Sequence, residues 1–492
     1  MLKFLQIKNL FVNRIAVAST VVLVAATLSS CAGDMQNAGA ASLKSNSSMV
    51  NYFADNGTGN PLAVVQHPAG EYHEGITYVA YQGPFEDPYV AAYNHDTQTW
   101  LGPFRAGTSE LGRRAERTKW DNHGKPTLLI DNDGYIHIFY GGHGGDKHHG
   151  QNTLGNVHHG ANKHSISKQP LDISGWDEVD NTSVFGTYNQ ALKMDNGDIY
   201  LFYRHGAHRS DWVYQKSTDN GRTFEAPVSF LKHKRRDDIE AVDSWYAWVG
   251  HGNGDDLIVS FDYHVCWDGS ANERGHTTER HDAHFMVFDT KTDTWTNVIE
   301  QELEMPLTRE AAEKQTLAMD TGDHWTFNGS TYLDDKGNPH LAINVGVDLG
   351  QKTGGPKQTR HVHWDGQAWQ VGASVNGQTT GVSRGDFKLD AANGITYFLV
   401  DQDGKEGVLA TWNSQDSGRS FTKQTELLRA HNGSFSITSL IKNAHPDAQV
   451  LVAEKARGKA DRKIYLVGEK GPVQRPLLHA TLDKDTSTFK KK

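Results

Sequence analysis

The chain has 492 residues, a formal net charge of −10, 26 histidines and two cysteines. The acidic balance argues against nucleic acid as a partner, and the length exceeds one ordinary single-core domain. With one of the two cysteines at the end of a leader, an internal disulfide framework is excluded.

Residues 1–30 read as a leader: a basic stretch, MLKFLQIKNLFVNR, then the apolar run IAVASTVVLVAATL. The run is shorter than the ~20 residues that span a bilayer. It ends in Leu28-Ser29-Ser30-Cys31, which resembles a bacterial lipoprotein cleavage box with Cys31 as the lipidated residue. The expectation is a protein secreted or anchored in the outer membrane by lipid, facing the exterior. Residues 31–48 are rich in Ser and Asn and read as a flexible tether, which leaves 49–492 as the folded catalytic domain.

Within that domain a tight turn on Gly, Asn or Asp feeds a short apolar strand seven times. The copies are Gly75 before ITYVAYQG, Gly134 before YIHIFYGG, Gly197 before DIYLFYRHG, Gly254 before DDLIVSFDYH, Gly337 before NPHLAINVG, Gly394 before ITYFLVDQDG and Asp447 before AQVLVAEKA. Near-even spacing of such hairpins predicts an all-β, seven-bladed β-propeller of four-stranded antiparallel blades. One longer step, between Gly254 and Gly337, is expected to hold insertions around Asp268–His281 and Val298–Asp320, with a short helical pattern at Thr308–Ala318. The segments starting at Ser217 (STDNGRTF) and Ser414 (SQDSGRSF) resemble the Asp-box of sialidase-like propellers, in which the Asp caps its own turn and the aromatic packs between blades.

Hairpin geometry supplies a rule. The start of the first strand, the end of the second and the loop to the third share one end of the blade. Applied in chain order, it selects His123 and His143, then Tyr188, Arg204, His205 and His208, then Trp245, Tyr246, His264 and Cys266. His205 reads as a structural hydrogen-bonding residue, and Tyr246 as a sugar contact with core packing as the competing reading for it and Trp245.

The selected set holds His, Tyr and Arg without a carboxylate pair. A glycosidase normally needs two, and a sialidase needs more arginines than Arg204. Proton abstraction next to a uronate carboxylate fits better: a cation neutralises the carboxylate, a base takes the C5 proton and an acid protonates the leaving oxygen. Arg204 assisted by His143 suits the first task, and His123 and Tyr188 the other two, in either assignment.

His264 and Cys266 alternate along one strand and so face one side. With His208 from the adjoining loop and one of His276, His281 or His284, they make a zinc set; His284 is taken as the fourth ligand and the zinc as structural. The run Arg113–Lys119 offers cations to sugar sulfates, with a solvated charged surface as the other reading. His148, His149, His158 and His159 receive no role.

The segments KWDNHGKPTLLIDNDGYIHIFYGGHGGDKHHG, TYNQALKMDNGDIYLFYRHGAHRSDW and DSWYAWVGHGNGDDLIVSFDYHVCWDG resemble the ulvan lyases of polysaccharide lyase family 25. That resemblance runs over essentially the whole mature chain. It implies a secreted enzyme of marine bacteria that cleaves ulvan, a polysaccharide of sulfated rhamnose with glucuronic and iduronic acids, by β-elimination. It also implies His123 and Tyr188 as catalytic residues and Arg204 and His143 facing the uronate carboxylate. The expected protein is an endo-acting, monomeric lyase that needs no cofactor for its chemistry. The other readings are a sialidase- or glycosidase-type hydrolase and a non-catalytic surface lectin.

Overall fold

The computed structural model describes residues 48–62, 68–115, 117, 119–269, 278–327, 329–346, 354–377, 384–431, 433–455, 461–477 and 482–484. The leader with its apolar run, Cys31 and the tether up to 47, His276, and positions 116 and 118 of the basic run lie outside the described residues.

All seven turns close antiparallel hairpins. At Gly75, Gly134, Gly197 and Gly337 the glycine sits at φ of 86°, 82°, 92° and 82°, a region that side chains with a Cβ avoid. At the sixth turn Asn393, not Gly394, takes the positive φ, at 59°.

The number of separate blades differs from the number of hairpins. Five sheets of four or more strands stand alone, built from residues 127–179, 186–231, 234–319, 326–374 and 384–430, beside a two-stranded pairing of Met49–Val50 with Arg475–Pro476. The first and last hairpins belong instead to one nine-stranded sheet, in which Gly70–His73 pairs in parallel with Phe435–His445 through Glu71 and Lys442. The expectation of seven four-stranded blades is thus corrected to a five-blade propeller arrangement plus this fused sheet. The physical reason is that sequence periodicity counts hairpins and cannot see which neighbouring hairpins hydrogen-bond to each other. Blade size is also uneven. Insertions add Lys234–Arg235 and Leu317–Met319 to the third free sheet, making six strands, and the fourth has five.

The seam of the ring is closed by the two ends of the chain. Ala54–Thr58 forms the edge beside Asp461–Gly468. The longer fourth interval carries the helix Arg309–Gln315, whose N-cap Thr308 accepts a hydrogen bond from the Ala311 amide.

Apolar strand faces stack sheet on sheet. Leu129 and Phe139 of one blade pack with Ala191, Ile199, Leu201, Tyr203 and Val213 of the next. Each of the Leu, Ile, Val and Phe side chains among them is worth about 2 kcal/mol of transfer free energy when fully buried. The Asp-boxes act at these junctions. Asp219 accepts from the Arg222 and Thr223 amides at 3.0 and 2.9 Å, and Phe224 meets Phe139 edge-on at 5.8 Å.

Candidate active site

Three neighbouring blades deliver the site. His123 precedes the strand Thr127–Ile130, and His143 follows its partner Ile136–Tyr140. Tyr188 lies in the strand Gly186–Lys193 and Arg204 in Ile199–His205, where it pairs with Thr187. Tyr246 comes from Ala241–His251.

The fold brings these residues together. The His123 and His143 rings stack at 3.6 Å, and His123 lies 5.2 Å from the Tyr188 ring. The Arg204 guanidinium carbon sits 5.0 Å from the Tyr188 ring and 5.2 Å from that of Tyr246. Arg204 is fully buried, and neither Nη1 nor Nη2 has a hydrogen-bond partner. Desolvating a guanidinium costs several kcal/mol, whereas a desolvated cation–π contact returns about 2 kcal/mol. Two ring faces therefore leave Arg204 poised for an anion.

Tyr188 occupies a backbone bulge. The register of its strand slips between Thr187 and Gln190, and Tyr188 has φ of 63°. For a bulky aromatic residue this region is strained, and bulges re-aim side chains. The Tyr188 amide donates to the His123 carbonyl at 3.4 Å, which ties the bulge to the backbone of the neighbouring blade.

A buried carboxylate organises the imidazoles. Asp121 bonds His123 Nδ1 at 2.6 Å, His143 Nδ1 at 2.8 Å and His159 Nε2 at 2.8 Å. Burial pushes the Asp121 carboxyl up, but the three imidazole bonds together hold it well below the usual carboxylate range. Asp121 is thus an anion that accepts hydrogen bonds. His123 then carries its proton on Nδ1 and presents Nε2 as the basic nitrogen, an orientation logic shared with catalytic triads. Burial, with the neighbouring His143, lowers the His123 pKa to about 3, so the ring is neutral. Burial raises Tyr188 well above the ordinary phenol range, so it keeps its proton. In Tyr246 burial acts the same way, but the Arg204 and Arg280 guanidiniums outweigh it and lower its pKa.

A second constellation borders the first. The ligand atoms of His208, His264 and Cys266 lie within 4.8 Å of one another. His264 Nδ1 donates to the Glu279 carbonyl at 2.8 Å, which directs Nε2 toward the cluster. His208 is 6.4 Å from the His123 ring, so the two groups adjoin. His284 is not brought there. It bonds Thr316 Oγ1 at 3.2 Å and stacks on Phe261 at 5.0 Å inside the blade. A strand pairing explains this: His284 lies opposite Phe261, further along the strand from His264, which faces Arg280. His281 is engaged by Glu279 and the His324 carbonyl.

Other selected residues have structural surroundings. His205 bonds Ser183 and Asn152, each at 2.9 Å, and Trp245 is fully buried with its indole on the Lys232 carbonyl. Within the basic run, Arg113 pairs with Asp87 at 2.6 Å and buried Arg117 with Glu86 at 3.2 Å, so these two brace the fold.

Residues 76–376 match the model of a family described as BNR repeat-containing. An ulvan lyase of Alteromonas sp. (strain LOR) is 63% identical over 87% of this chain and 89% of its own length. The PL25 ulvan lyase of Pseudoalteromonas sp. (strain PLSV) is 62% identical over 89% and 90%. A solved PL25 ulvan lyase bound to -[GlcA(1-4)Rha3S]- superposes with a TM-score of 0.85, at 63% identity, covering 87% of this chain and 98% of that one. The chain belongs to the PL25 ulvan lyases.

For a PL25 ulvan lyase, the residue that sequence reasoning missed is Asp121. The strand-end rule looked for side chains at fixed hairpin positions, and Asp121 lies two residues before one of them. The Asp121-Asn122-His123 spacing was a usable signal, because a carboxylate two residues from a histidine can bond its ring. His159 was visible as part of a histidine pair, but its bridge to His143 is a tertiary contact.

Proposed function

We propose that this chain is an endo-acting ulvan lyase that cleaves by β-elimination at the uronic acid, leaving an unsaturated uronate end. The observation that carries the reading is the buried Arg204, with both terminal nitrogens unpartnered, beside His123 and Tyr188. A uronate carboxylate on Arg204, near His143 and Tyr246, places C5 among the proton-transfer groups. Arg204 stabilises the negative charge that develops on the carboxylate as C5 loses its proton. Pairing with the carboxylate also cancels the Coulombic effect by which Arg204 depresses His123, which makes Nε2 a stronger base. Tyr188, protonated, donates to the leaving oxygen. A two-carboxylate hydrolase is disfavoured, since Asp121 is engaged by three imidazoles.

Glucuronate and iduronate present their C5 protons on opposite faces, and His123 and Tyr188 divide the abstraction between the two epimers. His123 takes one directly. For the other, Tyr188 first passes its phenol proton to neutral His123 and takes the C5 proton as phenolate, and the His123 imidazolium protonates the leaving oxygen. The test is the ultraviolet absorbance of unsaturated uronate during turnover of glucuronate- and iduronate-linked substrates. Tyr188→Phe and His123→Ala are expected to lose on the order of 10²–10⁴-fold in kcat, unequally on the two linkages. Equal losses would rule out the division of labour, and full activity would rule out the assignment.

The His208, His264 and Cys266 donors suit zinc in ligand type and mutual distance. Bound there, zinc ties the loop after Ile199–His205 to the strand Asp256–Trp267 and supplies rigidity. We expect about one zinc per chain by metal analysis and a lower melting temperature after chelation. Cys266→Ser should lose the metal; retention of full zinc content would refute the site. The lipoprotein-like leader fits a protein acting on polysaccharide outside the cell, secreted or held by a lipid on Cys31.

A further inference from the structure

The hairpin rule extends past the catalytic blades. Arg280 and Lys357 begin the third strands of their blades, Arg280–Asp289 and Lys357–Trp364, and Arg384 begins the first strand, Arg384–Leu389, of the next. All three therefore lie at the blade end that carries His123 and Tyr188. They converge on one ring. The Phe327 centroid is 4.3 Å from the Arg280 guanidinium carbon, 4.6 Å from that of Arg384 and 4.8 Å from the Lys357 ammonium. Arg280 also stacks at 3.3 Å on Tyr246, so the cluster is continuous with the Arg204 site.

Three cations on one aromatic ring repel one another. The described carboxylate closest in role is Asp262, 3.8 Å from Arg280 Nη1. Arg280 is 6% exposed, and its Nε and Nη1 have no hydrogen-bond partner. Burial, then the charge of Arg384 and Arg280, lowers Lys357 to about 8, and burial with Arg280 lowers Arg384 to about 10. Among the described residues, no carboxylate pairs with Arg384. Such an arrangement gains most from a compact, multiply accepting anion, the class to which sulfate esters belong.

We propose that Arg280, Lys357 and Arg384 form an anion subsite that takes the sulfate ester of the sugar next to the uronate. The proposal rests on the lyase reading above, and it assigns a separate task to each cation group. Arg204 meets the carboxylate and drives chemistry. The Phe327 cluster meets the sulfate and sets which polymer binds. Two residues of the basic run, Arg113 and Arg117, are engaged instead by Asp87 and Glu86.

The test compares native ulvan with chemically desulfated ulvan, reading release of unsaturated uronate. On native polymer, Arg384→Ala is expected to raise KM by about tenfold or more with kcat nearly unchanged. On desulfated polymer the wild-type KM should already be raised, and Arg384→Ala should add little. Lys357→Met should show the same pattern, and it carries the test if Arg384→Ala lacks a cooperative melting transition. Equal loss on both polymers, or a loss in kcat alone, overturns the subsite. If the wild-type enzyme releases no unsaturated uronate from either polymer, the lyase reading falls instead.

Discussion

Asp121 shows how much one residue can decide. Without its charge, three imidazoles lose a shared acceptor, and His123 loses the bond that selects its tautomer. Asp121→Asn keeps the shape but offers an amide where two imidazole N–H groups need acceptors. The expected result is a kcat lower by about 10²–10⁴-fold, with a KM change that is small by comparison. Steady-state kinetics separate this from a general structural defect, which would lower the fraction of active enzyme and the melting temperature together. Arg204 works by a different route. It is buried, and among the described residues no carboxylate pairs with it, which is the opening that the proposed uronate contact uses.

Strands place the candidate site residues, and turns keep the strands in register. The Tyr188 bulge converts a pairing irregularity into a side chain aimed at His123, which a regular ladder would not supply. The Asp-box turns have no such task. Asp219 accepts from Ser217 and Thr223 hydroxyls at 2.8 and 2.7 Å in addition to its two amides. These groups are near solvent, so water replaces much of what the carboxylate provides. Asp219→Ala should therefore destabilise the protein by about 1 kcal/mol, seen in denaturant melts, and leave kcat and KM unchanged. A changed kcat would show that the turn reaches the active face.

The whole molecule carries many histidines in apolar surroundings, and this gives it a defined response to acid. Burial lowers His284 to about 3 and His205 to about 4, below the ~6.5 of an exposed imidazole. Between those values the unfolded chain binds protons that the folded chain does not, so stability rises with pH. The contribution is complete above the unfolded value and is lost as pH falls from about 6.5 toward 4. The melting temperature should thus drop steadily from pH 7 to pH 5, and His284→Asn should flatten the slope. A melting temperature unchanged over that window would contradict the assignment of these rings as neutral and buried.

The all-β class, the position of each hairpin turn, and the residues at one common end of the blades 127–179, 186–231 and 234–319 were all legible in the chain. These are local properties: a glycine or asparagine that can adopt positive φ, and alternation along a strand, are written in neighbouring residues. His123, His143, Tyr188, Arg204, Tyr246, His208, His264 and Cys266 were accessible by that logic because strand position alone sets the end at which a side chain emerges. Tertiary structure alone decided the rest. The fusion of the first and last hairpins, Asp121 among three imidazoles, His284 turned toward Thr316, and Arg280, Lys357 and Arg384 meeting on Phe327 all depend on which blade lies beside which. Such contacts join residues far apart in the chain through packing and hydrogen bonds that no local pattern encodes.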